Sequence, residues 1–76
     1  MKLDNDLRHC RLDRGGMSQE NLASAVGVTR QTILSIEKGK YIPSALLALK
    51  LAVFFNKPVE EIFYIVDEEK SEGEKK

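Results

Sequence analysis

Between Ser18 and Gly39 two short helical patterns are separated only by Gly27, Val28 and Thr29, and this spacing constrains the fold more than anything else in the chain. Ser18 suits an N-cap, and Leu22, Ala23 and Val26 recur on one face of the helix it opens. Gly27 breaks that helix. Thr29 caps a second one, which turns Ile33 and Ile36 inward and stops at Gly39, the residue best suited to a left-handed cap. So tight a connection prevents the two helices from lying antiparallel, and they must cross steeply. The first then braces the second, whose outer face projects from the surface and is polar except for Leu34.

The flanking segments read as helices too. Leu3, Leu7 and Cys10 recur at spacings of four and three, which predicts a helix capped by Asp4 or Asn5 and ended by Gly15-Gly16. Pro43-Ser44 opens a helix from Ala45 to Phe55 that is apolar nearly all round except at Lys50, a pattern that belongs at the buried centre of a bundle. Asn56 suits its left-handed end. Pro58 fits the first turn of a short fifth helix through Val59, Glu60, Glu61, Ile62 and Phe63, with both carboxylates near the positive end of the dipole. The expected fold is therefore all-α, five short helices with no strand before Tyr64. From Asp67 onward no apolar residue remains to offset ordering entropy, so residues 1–66 form the expected domain and 67–76 a disordered charged tail.

A chain of 76 residues buries only a modest core, which disfavours an enzymatic cleft. Its one cysteine, Cys10, excludes an internal disulfide framework and fits a reducing compartment. His9 and Cys10 are neighbours, yet no other histidine or cysteine exists to complete a metal site. Glu60 and Glu61 face different directions, and no glycine-rich phosphate loop is present. Neither catalysis nor a cofactor is expected. Met1 to Arg11 lacks the apolar run of a secretory signal, and Ala45–Phe55 falls short of the roughly 20 residues a membrane span requires. The expectation is a soluble cytoplasmic protein. Net charge is zero, but residues 67–76 carry five acidic and three basic groups, which leaves residues 1–66 at plus two. Within them Arg30, Lys38 and Lys40 lie close together with only Glu37 opposing, a local positive patch that permits a nucleic-acid partner.

Residues 17–44, Met-Ser-Gln-Glu-Asn-Leu-Ala-Ser-Ala-Val-Gly-Val-Thr-Arg-Gln-Thr-Ile-Leu-Ser-Ile-Glu-Lys-Gly-Lys-Tyr-Ile-Pro-Ser, resemble the helix-turn-helix of the XRE family, which includes the phage lambda-type repressors and Cro proteins. The similarity extends back to Arg11 and on through Leu49, Ala52 and the Val-Glu-Glu-Ile-Phe at 59–63. It implies a five-helix, lambda-repressor-like domain, usually dimeric, that binds operator sites in double-stranded DNA and regulates transcription, most often by repression. Carried onto this sequence, it implies base reading by Arg30, Gln31 and Ser35 and a phosphate bond from Gln19. Thr29, Lys38, Lys40 and Tyr41 would meet the DNA backbone, and Arg11 would pair with Glu37 as a structural ion pair. The chemistry agrees, because arginine donates two bonds to guanine and glutamine bridges adenine in the major groove, while Leu34 suits a thymine methyl. Taken singly, each is also an ordinary exposed helix residue, and the lysines serve equally as solubilising charge. Two positions depart from the family pattern: Gly15-Gly16 lengthens one connection by a residue, and Pro58 stands where a capping Ser or Thr is common.

The run Ile62-Phe63-Tyr64-Ile65-Val66 exceeds what one short helix can bury, and an exposed apolar patch usually marks an interface. A homodimer through Phe63, Tyr64, Ile65 and Val66 is one expectation; closure of the core by Phe63 and Ile65 is the other. Two further functions stay open, an antitoxin-type regulator whose acidic tail serves a protein partner, and a protein-interaction module without DNA binding.

Overall fold

A computed structural model of the chain describes residues 1–67. Strand β1 (Lys2–Asn5) leads into helices α1 (Leu7–Asp13), α2 (Gln19–Val26), α3 (Arg30–Glu37) and α4 (Ala45–Phe55). One 3-10 turn (Val59–Glu61) and strand β2 (Phe63–Val66) follow.

The three central helices begin where their capping residues stand. Ser18, Thr29 and Ser44 each accept a backbone N–H through the side-chain hydroxyl, from Asn21 at 3.0 Å, Thr32 at 3.2 Å and Leu47 at 3.1 Å. Gly27 closes α2 at φ +80°, its amide donating to the carbonyl of Ala23. Asn56 closes α4 at φ +56°, the one non-glycine residue in that region among those described.

At both ends of the domain the five-helix, all-α expectation needs correction. Lys2–Asn5 is a strand, not the start of a helix, and it pairs antiparallel with Phe63–Val66 in the register Leu3↔Ile65 and Asn5↔Phe63. The helix starts only at Leu7 because distant groups hold the chain before it: Asp6 donates its amide to the carbonyl of Ile62 at 2.9 Å. The Asn5 side chain accepts the Leu7 amide at 3.0 Å, so Asn5 does bond at the helix start. Pro58 likewise lies outside the helical turn, extended at ψ 144°. Only one 3-10 turn follows before Phe-Tyr-Ile-Val, aromatic and β-branched, joins the sheet.

Leu7, Leu22, Ile33, Ile36, Leu51 and Ile62 are the most completely buried side chains of the core. Helix α4 is not its all-round centre. Leu47, Leu51, Ala52 and Phe55 are buried, whereas Leu46, Leu49 and Val53 are exposed, because the single 3-10 turn is too short to cover the second side. Of the C-terminal run, Phe63 is buried in the chain's own core, Tyr64 and Val66 are half-buried and Ile65 is exposed. Among the described residues no helix is long and apolar enough to cross a membrane. The tail from residue 68 lies outside the described residues.

Candidate nucleic-acid interface

The two sides of α3 differ sharply. Ile33 and Ile36 are buried, which fixes the rotation of the helix about its axis. Arg30 and Gln31, in the first turn, are exposed; Leu34 and Ser35, one turn later, are half-buried. Gln31 lies along the same ridge as Ser35, with its amide nitrogen 3.4 Å from the hydroxyl. Thr29 spends its hydroxyl locally, accepting the Thr32 amide and lying 3.0 Å from the Thr32 hydroxyl.

Glu37 ends α3 and turns inward. Its carboxylate receives both forks of the Arg11 guanidinium, Nε to Oε2 at 2.8 Å and Nη2 to Oε1 at 3.1 Å, and Arg11 also donates to the carbonyl of Met17 at 2.7 Å. Side-chain exposures of 10% and 6% make this a buried, bidentate pair. The longer Gly15-Gly16 connection does not prevent it. The only acidic residue in the patch is thereby turned away from the surface, where Arg30 at the start of α3 and Lys38 and Lys40 beyond its end are all exposed. Tyr41 follows them, also exposed.

Gln19 is half-buried and donates to Oε1 of Glu37 at 3.1 Å. The expected phosphate ligand is thus held by the structural pair, with a second amide N–H beyond that bond. One carboxylate therefore ties α1, the first turn of α2 and the last turn of α3.

Reading the sequence missed a second tie. The Asn5 side chain donates to the carbonyl of Ile36 at 2.9 Å while accepting from Leu7, so it joins the β1–α1 corner to the last turn of α3. An asparagine just before a helical stripe signals its capping half; the other half depends on the fold. Missed as well is Arg14, which stacks 4.7 Å from the Phe54 ring centre and donates to the Phe54 carbonyl at 2.8 Å, capping α4. Tyr64 donates its phenol proton to Asp6 at 2.9 Å, and that bond, with some burial, raises the Tyr64 pKa. Burial likewise raises the Cys10 thiol, against the opposing influence of Lys57.

A helix held this firmly, with a polar and cationic outer face, has the form needed to enter the major groove. Comparison with known proteins agrees. The helix-turn-helix family model matches residues 7–62. The uncharacterized HTH-type transcriptional regulator YgzD of Bacillus subtilis is 53% identical over 55 residues, spanning 72% of this chain and 83% of that protein. More distantly, the cryptic phage CTXphi transcriptional repressor RstR of Vibrio cholerae is 36% identical over 56 residues, 74% of this chain and 50% of the repressor. The crystal structure of the restriction-modification controller protein C.AhdI from Aeromonas hydrophila superposes with a TM-score of 0.66 at 34% identity, covering 72% of this chain and 82% of that one. The chain belongs to the XRE-type helix-turn-helix family of DNA-binding transcriptional regulators.

Proposed function

We propose that this chain is a dimeric repressor that recognises an inverted-repeat operator by laying α3 in the major groove. The observation that carries the reading is the division of α3 into a locked inner side and an outer side bearing Arg30 and Gln31. In this reading Arg30 takes a guanine and Gln31 an adenine, each pair contributing about 1–3 kcal/mol of discrimination, with Leu34 against a thymine methyl and Ser35 beside it. Gln19, Lys38, Lys40 and Tyr41 hold phosphates, and Thr29 presents the first turn through its cap. Two copies meet half-sites about 34 Å apart, one helical turn. Repression is supported by the named activity of the phage relative, and a role in controlling expression by the likeness to the controller protein.

The test is selection from random duplex DNA by the purified chain, with Arg30→Ala run in parallel at the same salt concentration. An enriched inverted repeat whose preference relaxes at one base in each half under Arg30→Ala is the expected result. No enrichment with either protein at low and moderate salt contradicts the reading.

A further inference from the structure

We propose that the acidic segment following β2, residues 68–74, lies back on the cationic face beyond α3 and competes there with DNA phosphates for Lys38 and Lys40. The proposal rests on the reading of α3 and its flank as the DNA surface, and it names what opposes DNA there.

Residues 68–74 read Glu-Glu-Lys-Ser-Glu-Gly-Glu, four carboxylates against one ammonium. Lys38 and Lys40 are exposed, and Glu37 beside them is turned inward to Arg11 and Gln19, so it does not offset their charge. The complementary anions belong to a segment anchored close by. Asn5 donates to the carbonyl of Ile36 at 2.9 Å, and the same carbonyl accepts the Gly39 amide at 3.0 Å, so β1 ends against the turn that bears Lys38 and Lys40. Phe63 is the partner of Asn5 across the sheet, which sets the foot of β2 one strand away from that turn. From Phe63 to Val66 the strand leads off by about 10 Å. The eight residues from there to Glu74 span up to about 27 Å, so Lys38 and Lys40 lie within reach without unpairing the sheet. A tether this short holds its charges near the patch at an effective concentration on the order of millimolar. Each exposed ion pair is weak and screened by salt, so the contact yields to a duplex. It lowers the affinity for every duplex by one factor and leaves the choice among sequences to Arg30 and Gln31.

The test compares the full chain with a variant that combines Glu68→Gln, Glu69→Gln, Glu72→Gln and Glu74→Gln. Without DNA and at low salt, the amides of Lys38 to Tyr41 should differ in chemical shift between the two, and the difference should fade as salt is raised toward about 1 M. On a duplex of arbitrary sequence at low salt, the variant should bind about 3- to 10-fold more tightly. That gain should vanish when both chains also carry Lys38→Ala and Lys40→Ala. A gain that survives in this background would assign the effect to long-range repulsion and overturn the proposal. So would unchanged amides at Lys38 to Tyr41, or shifts that grow with protein concentration, the mark of a second copy's segment. The amide shifts decide the contact without DNA, so a chain that binds no duplex would count against the reading of α3 and leave this test standing.

Discussion

Glu37 and Arg30 stand seven positions apart on one helix, and their environments give them opposite consequences when removed. Glu37 is a buried carboxylate shared by Arg11 and Gln19, so Glu37→Ala strands a guanidinium and should cost about 3–5 kcal/mol of stability. Arg30→Ala, at an exposed position, should stay within about 0.5 kcal/mol. Urea unfolding of the two variants compares them directly; equal midpoints would show that Glu37 does not carry the structure. Asn5 invites a finer change. Asn5→Asp keeps the acceptor for Leu7 but replaces the donor facing the Ile36 carbonyl, and should cost about 1–3 kcal/mol. Hydrogen exchange should accelerate first in the last turn of α3, around Lys38 and Gly39. Tyr64 supplies the pH dependence. Its pKa is raised in the fold by the bond to Asp6, so that contribution is fully present below the unfolded value of about 10 and is lost as pH rises through the folded value. The stability gap between wild type and Tyr64→Phe should therefore close on the alkaline side, and a gap constant from neutral to strongly alkaline pH would exclude the linkage.

At the scale of elements, what was legible was what is local. Ser18 and Thr29 cap the helices they were expected to cap, Ser44 caps the helix that Pro43-Ser44 was expected to open, and Gly27 ends α2 in the left-handed region. Space around Gly27 is open, so Gly27→Ala should cost only its backbone strain, about 1 kcal/mol, and leave the thermal transition cooperative. What was not legible depends on partners far along the chain. Leu3 fits a helical stripe with Leu7 and Cys10, but the sheet that claims it needs Ile65 as its partner. Pro58 and the two glutamates suit a helix start, yet the helix stops after one turn because the strand-forming run behind them has β1 to pair with. The shortness of that turn also explains why α4, apolar nearly all round, buries only one side. The helix-turn-helix itself was fully legible, because its turn and both caps lie within 22 residues, Ser18 to Gly39.

For the whole molecule, a formal net charge of zero hides a positive face, since Glu37 is neutralised inward while Arg30, Lys38 and Lys40 stay outside. Binding by such a face must weaken with salt. Lys38→Ala and Lys40→Ala should each weaken all duplexes evenly and lower the salt slope by about 1, whereas Arg30→Ala should change which sequence is preferred. The most direct test of the central claim, that α3 is the surface that reads DNA, is amide chemical-shift mapping of the full chain as the selected duplex is added. The account predicts the largest shifts from Thr29 to Ser35, with smaller ones at Gln19 and from Lys38 to Tyr41. Shifts concentrated on α4 or β2, with the first two turns of α3 unmoved, would contradict it.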